Sequence, residues 1–457
     1  MLGTLVRHEI RQHLTSLRFA VLVAISLLLV ATNALTFSSW YRSALNGYSE
    51  RVEGLTDDLD RTSLVDIPCQ QYGLGSRPSA LAFVAGSAAR ELPDRASASV
   101  SAVQSVFRQG RIEDLLAAAP VVDWVFVIAT VLTFAAGVLT YRTVAGELHD
   151  GTLSLVLANR VPRGTLLLSK YLGALAALAA AWLLAATFGL LGVLALSPVR
   201  FTVAEWVQLT GVGLAGLLLL SCFALLGLLL SVVSRNATIA ATAFLLSWAF
   251  LVFIVPGLGG VAAEQSATGR QARLWGAGSR AALAERYPYP DNADAATLAS
   301  VDREREEAGE RAFVEYLGEL ARQVRVGQRI SRLSPAATFG YAVEGLTGQG
   351  LWRLERFVAN ALRFRRGLLE AALAADAQDP QSRHLFRPGE CGVGDHFSRR
   401  TVDLGPAKHF ADRPATPAEG LRAAAGDIAL LLLDNGLLFL LALWRFVRQD
   451  VAPTSTL

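Results

Sequence analysis

The residues best suited to carry a function lie in one polar stretch between two apolar runs. It reads Gly146-Glu147-Leu148-His149-Asp150-Gly151-Thr152-Leu153-Ser154-Leu155-Val156-Leu157-Ala158-Asn159-Arg160-Val161-Pro162-Arg163 and runs on to Lys170. Glu147 and Asp150 precede a short amphipathic run, and Gly151 breaks it. Leu153, Val156 and Leu157 share a face at helical spacing. Pro162 ends this helix, because a proline interior to a helix removes a donor and clashes with the preceding turn. Arg163 to Ser169 begins the next helix. The chemistry such a helix can do is mechanical. Lying along a membrane surface between two spans, it can pass force from a soluble partner to both.

Other residues are candidates for different chemistry. Asp434 lies seven residues after Asp427, so about 10 Å into the last apolar run, with Asn435 and Gly436 beside it. An ionisable side chain at that depth is costly against lipid, so it is expected to face other spans, a water-filled path or a partner subunit. A structural hydrogen bond accounts for it equally. His8 and His13 suggest zinc, but they are five residues apart and do not share a helix face as the two histidines of H-E-x-x-H do. His384, Cys391, Asp395 and His396 are spaced loosely for a metal, and a solvated loop explains them better. No metal site is expected. Neither lysine of the chain, Lys170 or Lys408, is followed by Ser or Thr, and no G-x-x-x-x-G-K-[ST] or G-x-S-x-G string occurs. The chain therefore carries no phosphate-cradling loop and no nucleophile elbow.

These residues need elements to hold them, and composition says what kind. The chain has 457 residues, 53% of them hydrophobic and 18% charged, with a mean hydropathy of +0.39. A soluble chain carries about 25% charged residues, so an ordinary cytosolic enzyme is excluded, as are disordered and fibrous chains. The net charge of +3 is too balanced for a nucleic-acid footprint. Spans need about 20 apolar residues, and six stretches qualify: 19–37, 124–141, 171–196, 207–233, 237–258 and 428–444. The first reads as an uncleaved signal anchor rather than a cleaved signal peptide, since polar residues 1–18 precede it and its apolar run is long. Ala80 to Val84 is apolar too, but short, and is expected in a soluble helix.

Arginines set the orientation. With the N-terminus inside, Arg7, Arg11, Arg18, Arg142, Arg160, Arg163, Lys170, Arg235, Arg445 and Arg448 are inside, and the short outer loop 197–206 holds only Arg200. Segments 38–123 and 259–427 then lie outside, and the tail 445–457 returns inside. The outer segments read as mostly helical. Phe313, Leu317, Leu320 and Val324 form one stripe, and Leu354, Phe357, Val358, Ala361, Leu362, Leu368, Leu369 and Ala372 form another. Ser334-Pro335 reads as an N-cap followed by proline at the first helical position. Tyr287 to Asp291 and most of 380–419 read as irregular, and a large sheet is not expected. Cys69 and Cys391 lie in different outer segments. In an oxidising compartment a disulfide between them would tie the segments together; two unpaired thiols are the alternative. Cys222 is an apolar filler.

The string E-x-x-x-G-T-L, with proline about ten residues on and a lysine opening the next span, resembles the intracellular loop of ABC-2-type transporter permeases. The matching positions are Glu147, Gly151, Thr152, Leu153, Pro162 and Lys170; Ser169 departs from the glycine usual before that lysine. The resemblance extends to Arg7-His8-Glu9-Ile10-Arg11, similar to an elbow helix over residues 1–18, to the turn from Ser231 to Thr238, and to the six-span count. Leu333 to Gly348 and the tail from Asn435 resemble a subgroup with a large exoplasmic insert.

The resemblance implies an all-α integral membrane protein of six transmembrane helices with a mostly helical exoplasmic domain. It implies that Glu147, Gly151, Thr152, Leu153, Leu157 and Pro162 belong to a coupling helix docking on a cytosolic ABC ATPase in two copies. A second permease subunit, identical or paralogous, would complete the membrane part. No cofactor is expected in this chain; ATP and Mg belong to the ATPase. The expected location is a bacterial inner membrane with both termini cytosolic, and export is favoured over import. No covalent chemistry is expected in this chain, and the outer domain is expected to receive or release substrate or to contact an envelope partner. A membrane-anchored scaffold or mechanotransmission protein that moves no substrate is the alternative, and an integral membrane enzyme a weaker one.

Overall fold

The computed structural model describes residues 2–86, 94–104, 122–149, 151–153, 161–234, 236–266, 280–382, 401–402, 404–405 and 409–448. The chain is an all-α membrane protein with six helices long and apolar enough to span a bilayer. A short helix α1 (Leu2–Leu14) precedes α2 (Leu17–Arg61), the first span. The second span, α3 (Trp124–His149), is followed by α4 (Arg163–Leu196), α5 (Val203–Val233), α6 (Ala237–Gln265) and, last, α11 (Pro417–Val447). Between α6 and α11 come α7 (Arg280–Arg286), α8 (Ala295–Ser331), α9 (Pro335–Thr347) and α10 (Gly350–Gln378). A small antiparallel sheet of β1 (Tyr72–Gly75), β2 (Arg95–Ala98) and β3 (Val103–Gln104) completes the elements.

The spans are longer than the apolar stretches that reveal them. At 45 residues, α2 is about 68 Å long, against roughly 30 Å for the hydrocarbon layer. It starts where Ser16 caps it, the hydroxyl accepting from Phe19 N–H at 3.2 Å, and it runs past Phe37 into the domain. α11 begins well before Ile428, at a capping box: Thr416 accepts from Glu419 N–H at 3.3 Å, and Glu419 accepts from Thr416 N–H at 2.9 Å. Polar residues on these extensions hide them from a hydropathy window. Of the spans, α5 is the most enclosed, with 67% of its apolar window buried, while α6 and α11 have 17% each. α5 is therefore the centre of the bundle and the other two its periphery.

Two spans contain wider turns. α3 is π-helical over Val127–Leu132 and α6 over Phe250–Ile254. In α6 the cause is Pro256, which lacks an N–H and crowds the preceding turn. Trp248 joins the two places, donating from Nε1 to Thr133 Oγ1 at 3.0 Å.

The two segments outside the spans meet in one domain. Its core combines Leu55, Leu59, Leu64, Ile67 and Tyr72 from the first with Phe357, Ala361, Leu368 and Ala372 from the second. Polar ties reinforce it. Val402 N–H donates to Thr62 O at 3.0 Å, Arg353 Nη2 to Ser76 Oγ at 3.1 Å, and Asn360 Nδ2 to Asp412 Oδ1 at 2.8 Å. Burial pushes the Tyr72 phenol up to about 12.

Both segments also reach into the bundle. Ala80 to Val84 is a run of turns, not the expected soluble helix. Leu81, Phe83 and Val84 are fully buried, with Val84 O accepting from Val125 N–H at 3.1 Å. The Phe83 ring stands 5.0 Å from Trp124, 5.5 Å from Phe37 and 6.0 Å from Phe201. A five-residue apolar run has no periodicity to separate these cases, and burial against α2, α3 and the loop before α5 decided this one. α9 is enclosed as well, with Phe339, Ala342 and Val343 inaccessible in the bundle core. Ser334 caps it as expected, accepting from Ala337 N–H at 3.3 Å. Before it, Arg332 bridges α8 to α11 by two bonds to Asp427, at 2.5 and 3.1 Å.

Candidate functional site

At the end of the bundle that carries both termini, three elements converge on one lysine. Lys170, on the second turn of α4, is almost wholly buried, with its side chain 3% exposed. Its Nζ lies 3.1 Å from Glu9 Oε1 of α1 and 2.6 Å from Glu147 Oε1 at the end of α3. A buried ammonium is tolerable only when paired, and here two carboxylates from opposite sides pair it. The approach of α1 depends on Gly173, one turn along α4. A Cβ there would sit 2.4 Å from Glu9 Cβ, so any side chain would push α1 away. Ser169, the departure from the family pattern, is fully buried and donates to Leu166 O of its own helix at 2.8 Å.

Glu147 is held by a short helix, Ala145–His149, that closes α3. The first N–H groups of a helix have no partner within it. Here Ser231 of α5, itself fully buried, accepts from both Val144 N–H and Ala145 N–H at 3.0 Å. A cap supplied by another span thus ties this helix to the centre of the bundle. Gly151 ends the segment with φ +71°, the left-handed region where a side chain is strained, although nothing lies within 4 Å of its added Cβ. Thr152 Oγ1 reaches back to Glu147 O at 3.4 Å. Leu153 is buried in a cluster with Val144, Leu166, Leu167, Leu228, Val232 and Phe446. Pro162 precedes the first turn of α4, and Arg163 there donates to Val447 O of α11 at 2.8 Å.

The structure thus brings Glu147, Gly151, Thr152, Leu153 and Pro162 into one site. Leu157 and Asp150 lie outside the described residues, and the described part of the segment is helical over Ala145–His149 and at 152–153 on either side of Gly151. Lys170 was legible as a motif position, but its pairing with Glu9 and the cap from Ser231 were not. The available signal was a lysine in an arginine-rich chain at the start of an apolar run. Nothing in the spacing indicates which distant acids answer it. His13, also on α1, is held below its ordinary pKa by burial, with Glu9 opposing and Lys170 assisting, and its Nε2 has no hydrogen-bond partner among the described residues.

Deeper in the bundle, the polar residues of α11 divide their roles. Asn435 Nδ2 donates to Leu218 O of α5 at 3.0 Å and to Leu431 O at 2.7 Å, and its Oδ1 accepts from Ser221. Ser221 also meets Tyr171 Oη at 2.6 Å, so one polar chain links α4, α5 and α11. Asp434 is half-buried beside it. Cys222 is buried on α5. Cys69 is exposed in the turn after α2, and Cys391 lies outside the described residues.

Six helices of this length and apolarity are those of a multi-pass membrane protein. The model for ABC-2 family transporter proteins matches residues 4–451, nearly the whole chain. Comparison with curated proteins returns no match. The chain therefore belongs to the ABC-2 transporter permease family and is a multi-pass membrane subunit of an ABC transporter.

Proposed function

We propose that the segment around Glu147 is the surface on which a cytosolic ABC ATPase docks, and that ATP-driven closure of two such ATPases moves this permease. Glu147, Gly151, Thr152, Leu153, Leu157 and Pro162 form the docking helix and its ends. Movement enters the bundle at three places: through Lys170 into the span α4, through Glu9 into the short helix α1, and through Ser231 into the span α5. The observation that carries this reading is that Glu147 and its short helix bond directly to α4 and α5 and, through Lys170, to Glu9 of α1. Under this reading both termini are cytosolic, the domain is exoplasmic, and the location is a bacterial inner membrane. Two permease subunits, identical or paralogous, work with the ATPase pair, and transport is outward. ATP and Mg reside on the ATPase.

The test uses the complex copurified with its ATPase and reconstituted in lipid vesicles. A Glu147→Ala, Gly151→Pro double variant should insert and fold, yet lose the stimulation of ATP hydrolysis that the permease confers. Stimulation equal to that of the unmodified complex would remove the docking assignment.

One observation favours a second reading. α2 runs unbroken from the bundle into the domain core, with Val30 and Leu59 both fully buried. A continuous helix is a lever, suited to moving the domain without flux. ATP-driven change in the domain with no vesicle transport of any substrate would favour mechanotransmission over export.

A further inference from the structure

The domain carries a cleft that coupling does not use. It lies between α8 and α10 and encloses about 810 Å³, a size typical of small-ligand sites, which run from about 300 to 1,000 Å³. The bridges Arg325–Glu355 and Arg365–Glu310 set the two helices antiparallel. Leu369 and Leu373 then follow Arg365 in the direction leading away from the spans. At 1.5 Å per residue, Glu310 stands about 30 Å from Ser331, where α8 meets the bundle.

The floor is charged and rigid. Arg365 is 5% exposed; its Nη1 donates to Val100 O at 3.1 Å and its Nη2 to Glu310. Arg366 donates from Nε to the other Glu310 oxygen at 3.0 Å. Burial alone would raise the Glu310 carboxyl, but the hydrogen bonds and charges of Arg366 and Arg365 outweigh it and hold the group ionised below its ordinary range. Two guanidinium ions thus share one carboxylate, and along the rest of the lining Arg303 and Arg311 stand against Glu307 and Glu315, so one positive charge is left over wherever Glu306 is protonated. One turn along α8, Glu306 Oε1 has no hydrogen-bond partner among the described residues, and neither has Arg365 Nε. Burial pushes the Glu306 carboxyl up to about 8; Arg365 and Arg303 oppose this and Asp302 adds to it. Near neutral pH Glu306 therefore keeps its proton, and both unpartnered groups are donors.

We propose that this cleft binds a small organic anion, a carboxylate on a short alkyl chain, with its head over the Arg365–Arg366 floor beside Glu306 and its tail against Leu369 and Leu373. The anion offsets the uncompensated charge, and its oxygens accept from donors that otherwise have no partner. A cation would instead add charge beside two guanidinium groups. Among the described residues no three His, Cys, Asp or Glu side chains group to hold a metal.

The test is calorimetric titration of the full-length protein in lipid nanodiscs with hexanoate and with hexylamine, probes alike in tail and opposite in head charge. Empty nanodiscs correct for partition into the bilayer. Hexanoate should bind saturably and hexylamine should not. Arg366→Gln changes a mostly exposed side chain and should weaken hexanoate about tenfold, as expected for one charge-assisted contact. Glu306→Gln keeps a donor and should retain binding, whereas Glu306→Ala should lose it. Saturable hexylamine binding without hexanoate binding would overturn the proposal, as would the absence of saturable binding by either probe. Hexanoate binding indifferent to both Arg366→Gln and Glu306→Ala would also overturn it. None of these outcomes depends on an ATPase being present.

Discussion

Ser231→Ala separates the proposed mechanism from simple packing. The serine hydroxyl accepts two backbone N–H groups at 3.0 Å, from Val144 and Ala145, at a fully buried position. Alanine removes the acceptor and almost no volume, so α5 should pack as before. Each donor left without a partner costs about 1–2 kcal/mol where water can partly reach it, and the pair costs about 2–4 kcal/mol against the docked helix. At 1.4 kcal/mol per factor of ten, local opening should become about 30- to 700-fold more frequent. Hydrogen–deuterium exchange of peptides covering residues 142–149 reads this directly, because the two amides concerned are those that lose their acceptor. Exchange over the rest of α5 should not change. Released from its cap, Glu147 should hold Lys170 less firmly, and stimulation of the ATPase should fall in step. Unchanged exchange at residues 144 and 145 would refute the cap, and faster exchange with full stimulation would refute its part in coupling.

Two further outcomes follow from the charges. Lys170→Met leaves Glu9 and Glu147 facing one another without a cation, which should destabilise the protein in detergent by about 3–5 kcal/mol. The triple variant Lys170→Met, Glu9→Gln, Glu147→Gln should recover most of it, and a single variant as stable as the parent in thermal unfolding would contradict the triad. In the domain, the Glu306 carboxyl rises from 4.5 to about 8 on folding, so the folded state holds the extra proton between those values. Stability should fall as pH rises from about 4.5 to about 8, by up to roughly 5 kcal/mol, and level off above. Glu306→Gln should flatten that slope in thermal unfolding across pH, and identical slopes would show that the group is not buried as assigned.

Much of this architecture was legible because the bilayer imposes a length. An apolar run of about 20 residues has few other uses, so all six spans were found from hydropathy, together with the capped helix at Ser334 and the long helices around Phe313 and Phe357. Two of the failures shared one cause. Where a helix leaves the membrane its surface turns polar, so the 45-residue course of α2 and the early start of α11 were invisible. Ala80 to Val84 failed for the opposite reason, since a short apolar run can be buried against anything. The domain core was expected only as a necessity; which faces meet in it depended on contacts between residues more than 250 apart, such as Arg365 with Val100.

By itself the sequence determined the class of protein, the number of spans, the loop whose motif resembles the family's and the absence of a phosphate-cradling motif in this chain. Each rests on local information, whether run length, composition or a short motif. Only the tertiary structure decided what that loop is attached to. Lys170 is 161 residues from Glu9 in the chain and Val144 is 87 from Ser231. Such pairs leave no periodic trace, because the bilayer fixes how long a span is and packing alone fixes which faces of the spans touch.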